Sequence, residues 1–169
     1  MKNIKSLFLI FSFVFTMSLT ISAQRLTALD GASVNIENQT DKVVVLAIGA
    51  SWLPLSTQQA TITNKLAKKY AGRNVVIYFV ATDSTSAKSK NYASDAELND
   101  FVTKNKLTVP VLRDSDGGLT LKKYGVDQLP SFVILGKHGK PAAEAFGGIG
   151  TDPKTDVSVP ISQAIDKIL

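Results

Sequence analysis

The chain has 169 residues, of which 44% are hydrophobic and 20% are charged, and its formal net charge is +5. This length and composition suit one globular domain and exclude a disordered or fibrous protein. None of the 169 residues is a cysteine, which excludes thiolate catalysis and disulfide exchange by this chain alone.

The first 23 residues have the pattern of a secretory signal peptide. Lys2 and Lys5 precede an apolar run over 7–15, which is followed by a Thr/Ser-rich stretch that ends in small residues. We therefore predict a signal peptide over 1–23 and a domain over 24–169 that is exported to the periplasm or outside the cell. The alternative is an uncleaved membrane anchor, although a spanning helix usually needs about 20 apolar residues.

The charge of the predicted mature domain is small. Without Lys2 and Lys5, 17 of the 19 basic residues remain, and subtracting the 14 acidic residues gives a net charge of +3. The sequence has no dense Lys/Arg stripe interleaved with aromatic residues, so we expect no nucleic-acid partner. A membrane partner is expected only if the signal segment stays uncleaved.

From residue 42 the chain alternates apolar strand-like runs with helical patterns, which is typical of an α/β fold around a central sheet. Continuous β-branched and aromatic runs predict buried strands over 43–48 and 74–81. Between them, apolar residues at helical spacing predict a helix over 54–70 that ends before Gly72.

The next segment begins with a polar, Ser/Lys-rich stretch over 82–93, which predicts an exposed loop. Ser94 and Glu97 then form a capping-box pattern, so we expect a helix to start there. A short strand over 109–112 and a helical turn over 119–124 follow.

Two further elements complete the predicted fold. Apolar runs over 131–135 and 142–146 flank turn residues over 136–139 and predict a β-hairpin. A final helix is predicted over 160–169, with Pro160 in its first turn.

Four motifs follow one another along the chain: Ala50-Ser51-Trp52-x-Pro54 at a helix start, Asp83 in the next loop, Val109-Pro110-Val111-Leu112, and Tyr124-Gly125-Val126-x-x-Leu129-Pro130-Ser131-Phe132. Taken in this order, they resemble the motifs of the thioredoxin-like redoxins, especially exported thiol:disulfide oxidoreductases and peroxiredoxin-type domains. The resemblance covers about residues 26–168. It implies a thioredoxin-like three-layer sandwich with a mixed central sheet flanked by helices, and a cis peptide bond before Pro130 rather than an ordinary trans bond.

The resemblance also implies which residues have lost the family's chemistry. By position, the attacking and resolving cysteines fall on Leu53 and Ser56, and the acidic or amide residue that assists proton transfer falls on Ala47. None of these side chains can exchange a disulfide. We therefore expect no thiol catalysis and no cofactor.

Other residues offer no replacement chemistry. Ser56 lacks an adjacent base, since the only histidine, His138, lies far along the chain, and we expect Ser56 to cap the helix with Gln59. No metal site is expected, because the calcium-like string over 114–117 lacks the full ligand spacing of a calcium loop and predicts a turn. The glycines over 147–150 predict a flexible exit from the hairpin.

The apolar residues around the degenerate site have two interpretations. They form a surface that binds an extended protein or peptide client, as the family's groove does beside its cis-proline, or the leucines turn inward and fill the space that the cysteines left. The residues are Trp52, Leu53, Pro54, Leu55, Leu129 and Pro130. The first interpretation predicts a redox-inactive binding module. The alternative function is an oxidoreductase-family role in cell redox homeostasis, with the thiols supplied by a partner.

Overall fold

A mixed β-sheet forms the centre of the computed structural model, which describes residues 25–150 and 156–169. Its strands are β1 (Arg25–Ala28), β2 (Ser33–Asn35), β3 (Val43–Gly49), β4 (Val75–Ala81), β5 (Val111–Arg113) and β6 (Ser131–Leu135). They lie in the order β2-β1-β5-β4-β3-β6. Strands β3, β4 and β5 are parallel, whereas β1 and β6 run antiparallel to their neighbours in the centre. The predicted signal peptide over 1–23 lies outside the described residues.

The central strands form because their residues are apolar on both faces. All seven residues of β3 are buried, and alternate residues of a strand point to opposite sides of the sheet. Val43, Val45 and Ala47 belong to one apolar cluster, and Val44 and Leu46 to a second one. The sheet therefore has a core on each side, as the continuous apolar runs predict.

Three helices cover the first of these clusters. They are α1 (Ser56–Lys69), α2 (Asp95–Lys104) and α3 (Ser158–Ile168). Gly72, with φ of +76°, lies just beyond the end of α1, and the predicted capping box of α2 is present, with the Glu97 amide donating to Ser94 Oγ at 3.2 Å. Within the described parts of the chain, no helix is long and apolar enough to cross a membrane.

The second cluster is covered largely by turns. A short 3-10 helix (Ser115–Gly117) leads into the segment over 119–129, where the amides of Leu121 and Tyr124 donate to Gly117 and Thr120. Leu119, Leu121 and Leu129 pack on the cluster from this segment. The predicted helical turn over 119–124 is thus a run of single turns, and it supplies the third layer of the fold.

The predicted hairpin is only partly formed. Phe132 and Phe146 exchange two backbone hydrogen bonds of 2.9 and 2.7 Å, and the Ala142 amide donates to Ile134 O at 2.8 Å. Residues 143–145 loop out between these contacts, so the second arm makes isolated bridges instead of a strand. The prediction of a strand over 142–146 was wrong because alanine and glutamate, which occupy 142–145, favour strands poorly.

Candidate functional site

Leu53 and Ser56, to which the resemblance assigns the positions of the cysteines, lie in two consecutive turns that connect β3 to α1. The Leu53 amide donates to Ala50 O, and the Ser56 amide donates to Leu53 O, each at 3.1 Å. Trp52 is a corner residue of the first turn, and 50% of its surface is exposed. The chain therefore presents its single tryptophan to solvent at the start of α1.

Six apolar residues are called here the Trp52 surface. Four belong to these turns and two directly precede β6: Trp52, Leu53, Pro54, Leu55, Leu129 and Pro130. Trp52 and Pro54 are exposed, the three leucines are half-buried, and Pro130 is buried. The peptide bond between Leu129 and Pro130 is cis. Leu129 packs on the second apolar cluster, whereas Leu53 and Leu55 are not among the residues that pack on either cluster.

Gln59 ties the two halves of this surface together. Its side chain has no exposed surface, and its Nε2 donates to Ile48 O at 3.1 Å and to Ser131 O at 2.9 Å. Ile48 and Ser131 are paired across β3 and β6, so the amide holds α1 against the strands from which both halves emerge. Its close approach also requires a glycine at 49, because a Cβ there would overlap Gln59 Oε1.

The expectation that Ser56 and Gln59 cap α1 was wrong. The residue before the helix is Leu55, and no side chain caps this terminus. Ser56 is fully buried, and neither its Oγ nor Gln59 Oε1 has a hydrogen-bond partner. Both side chains point into the protein, because the packing against Gly49 and the sheet competes with the capping position.

Ala47 lies in the apolar core beneath the site. It has no exposed surface, pairs with Phe79 and Phe132 in the sheet, and belongs to the cluster under the helices. The position where the family places a proton carrier is therefore filled by a methyl group among apolar side chains. His138 is an exposed residue of the turn after β6 and supplies no base to Ser56.

A buried carboxylate lies behind the first turn, that of Asp83, which belongs to the sequence motifs but was assigned no role from them. Asp83 has no exposed surface. Its Oδ1 and Oδ2 both accept from the Ser51 amide at 3.0 Å, and its Oδ1 accepts from Ser51 Oγ at 2.6 Å. The contact joins residues 32 positions apart, so only the fold brings them together. Asp83 thereby fixes the residue that precedes Trp52.

The calcium-like string is a turn, as predicted. Asp114 is buried and accepts hydrogen bonds from the amides of Leu119 and Thr120 and from Thr120 Oγ1 at 2.6–2.9 Å. Across 25–150 and 156–169, no three His, Asp or Glu side chains are grouped closely enough to hold a metal ion.

A cavity of about 620 Å³, lined by none of the residues of the Trp52 surface, lies between Tyr124 and residues 141–145. Burial, together with the nearby charge of Glu37, raises the pKa of Tyr124 to about 12. Tyr124 is therefore a neutral phenol over the whole physiological range and part of the second apolar cluster.

Comparison with known families gives a match over most of the chain. Residues 18–142 match the AhpC/TSA family. Thiol-disulfide oxidoreductase ResA of Bacillus thuringiensis (subsp. konkukian) is 30% identical over 121 residues, which is 72% of this chain. ResA of Bacillus anthracis is 27% identical over the same length. The matched region spans 64% of each relative, just under two thirds of its length.

Solved structures confirm the thioredoxin-like fold. The exposed lipoprotein thioredoxin Etrx1 of Streptococcus pneumoniae superposes with a TM-score of 0.66 at 26% identity, covering 85% of this chain and 98% of that one. A thiol:disulfide interchange protein of the DsbE type from Chlorobium tepidum gives 0.67 at 22% identity, covering 84% and 92%.

Proposed function

The chain belongs to the AhpC/TSA family of thioredoxin-like proteins but has no cysteine, and we propose that it is an exported, redox-inactive module that binds extended peptide segments of other proteins at the Trp52 surface. The observation that carries this proposal is the exposure of Trp52, at 50%, in a turn that the rest of the fold holds in place. The chain lacks the family's cysteines, and the resemblance assigns the Trp52 surface to the region where the family's substrates bind.

The arrangement of the Trp52 surface supports peptide binding. Tryptophan offers a large contact area with few rotatable bonds, which is why it is enriched where proteins bind one another. In the redoxins that this chain resembles, the backbone before the cis-proline pairs with an extended substrate. Here Leu129 occupies that position, beside the cis bond to Pro130.

The alternative interpretation, in which leucines fill the space of the cysteines, has less support. A filling side chain would pack on the core, but Leu53 and Leu55 are half-buried and contribute to neither apolar cluster. Part of the surface of each leucine is therefore accessible to a ligand.

Export is supported by the signal-peptide pattern over 1–23. The similar pneumococcal protein is described as an exposed lipoprotein. The similarity does not extend to a lipid anchor of that kind, since this chain has no cysteine to carry a lipid.

The test uses a fluorescein-labelled apolar peptide without tryptophan or cysteine, with binding followed by fluorescence anisotropy. The purified chain is expected to bind it, and Trp52→Ala should weaken the binding at least about 10-fold, as expected for a central aromatic contact. Tyr92→Ala is the matched control, because among residues 25–150 and 156–169 Tyr92 is the other aromatic side chain with large exposure, at 40%. Absence of binding, or equal losses in both variants, would contradict the proposal.

The second candidate is a redoxin role in cell redox homeostasis with partner-supplied thiols, which the similarity to ResA favours. An insulin-reduction assay separates the two. The chain alone is expected to give no turnover, and the binding proposal expects the turnover of an added reduced dithiol protein to stay unchanged by the chain. An acceleration of that partner's turnover would favour the second candidate.

A further inference from the structure

We infer that Asp83 is a positioning residue for the Trp52 surface: its carboxylate clamps Ser51 and so holds Trp52 in the orientation that meets a peptide. This inference rests on the proposed function of that surface. It concerns a residue with no direct access to a ligand, since Asp83 is fully buried.

In the described part of the chain, the hydrogen bonds of the Asp83 carboxylate all go to one residue, Ser51. The Ser51 amide lies 3.0 Å from both carboxylate oxygens, and Ser51 Oγ lies 2.6 Å from Oδ1. Hydrogen bonds to a carboxylate are shorter and stronger than those between neutral groups. Burying a carboxylate away from solvent destabilises a fold unless such bonds compensate for it. For Asp83, the bonds to Ser51 supply this compensation.

The contacts between Asp83 and Ser51 are not needed to hold the ends of β3 and β4 together. The ends of β3 and β4 are already joined by Thr82, whose amide and Oγ1 donate to Gly49 O at 2.8 and 3.1 Å. Asp83 adds nothing to this pairing, because its bonds reach past the strand end to the turn. Its effect falls on the turn alone.

Ser51 and Trp52 are the two corner residues of that turn. One backbone hydrogen bond, from Leu53 to Ala50, closes it. Fixing both the amide and the side chain of Ser51 restricts the backbone that carries the indole. A pre-oriented side chain loses less conformational freedom on binding than a mobile one, and for one side chain this difference corresponds to about 2- to 10-fold in affinity.

The experiment compares Asp83→Ala and Ser51→Ala with the native chain in two measurements: the mobility of Trp52, from tryptophan anisotropy and acrylamide quenching, and the affinity for the labelled peptide. Both variants are expected to show a more mobile indole and about 2- to 10-fold weaker binding. Asp83→Asn keeps one acceptor oxygen, so it should retain part of the immobility of the indole and part of the affinity for the peptide.

Asp114→Ala is the matched control. Asp114 is also a buried carboxylate with bonds to two amides and a hydroxyl, but its partners lie in its own loop. It should lower stability and leave the mobility and affinity of Trp52 unchanged. Equal changes in Asp83→Ala and Asp114→Ala would overturn the clamp.

The outcomes separate the clamp from the proposed function. If the native chain fails to bind the peptide, the proposed function falls, while the indole mobility still decides whether the clamp exists. If Asp83→Ala does not fold, Ser51→Ala decides the matter, since it removes only the 2.6 Å bond. An indole as immobile in Ser51→Ala as in the native chain would then overturn the inference.

Discussion

Replacing Gln59 with leucine tests whether one buried amide holds the helix against the site. Leucine has a similar volume, so the change removes polar atoms without opening a large cavity. Two acceptors, Ile48 O and Ser131 O, lose the hydrogen bonds of 3.1 and 2.9 Å that Gln59 Nε2 donates. The change also deletes Gln59 Oε1, which is buried without a partner.

The expected cost follows from these atoms. Each intramolecular hydrogen bond contributes about 0.5–1.5 kcal/mol net to stability. Gln59→Leu removes two of these bonds, while Ile48 and Ser131 keep their pairing in the ladder of β3 and β6. We therefore expect Gln59→Leu to lower the free energy of unfolding by about 1–3 kcal/mol, a large part of the roughly 5–15 kcal/mol typical of a domain.

Urea unfolding, followed by far-UV circular dichroism and by Trp52 fluorescence, measures this change as a shift of the midpoint at constant slope. Thr63→Val is the matched control: Thr63 is also fully buried, but its Oγ1 donates only to Gln59 O of its own helix, at 2.8 Å. It should cost less, about 0.5–1.5 kcal/mol. If Gln59→Leu is as stable as the native chain, the amide bonds contribute nothing net and the reasoning fails.

Three further predictions concern other parts of the molecule. Because burial raises the pKa of Tyr124 from 10.0 to about 12, the folded chain holds the phenol proton more tightly than the unfolded chain. The free energy of unfolding should therefore fall as the pH rises from 10 towards 12. Tyr124→Phe should make this fall smaller in urea titrations. Ser94→Ala removes the cap of α2 and should cost about 1 kcal/mol in the same assay; an unchanged midpoint would show that the cap is dispensable. Leu53→Cys combined with Ser56→Cys should give insulin-reducing activity where the parent has none, and a failure would point to Ala47 as a further loss.

The fold was largely predictable because its signals are local. The apolar runs that become β3 and β4, the capping box at Ser94 and the glycine at 72 each act through near neighbours in the chain. The strand predicted over 142–146 failed for a local reason too, since its apolar residues are mostly alanines, which do not stabilise a strand without β-branched neighbours.

The internal organisation of the site was not predictable in the same way. In the sequence Gln59 lies three residues after Ser56 at a helix start, where capping is the usual role of such residues. The contact that decides its orientation is with Ser131, 72 positions away. The contact of Asp83 with Ser51 likewise spans 32 positions. Such pairings depend on which strands are neighbours, and a single sequence does not state this.

The covering of the sheet edges limits how this protein can associate with other chains. At one edge β2 is only three residues long; at the other, Phe146 and Ala142 already bond to Phe132 and Ile134 on the outward side of β6. Short or occupied edges resist pairing with foreign strands, which is the first step of aggregation. This protein has no disulfides and is proposed to bind extended segments of other chains after export. The short and occupied edges of its sheet should therefore limit its recruitment into aggregates of those chains.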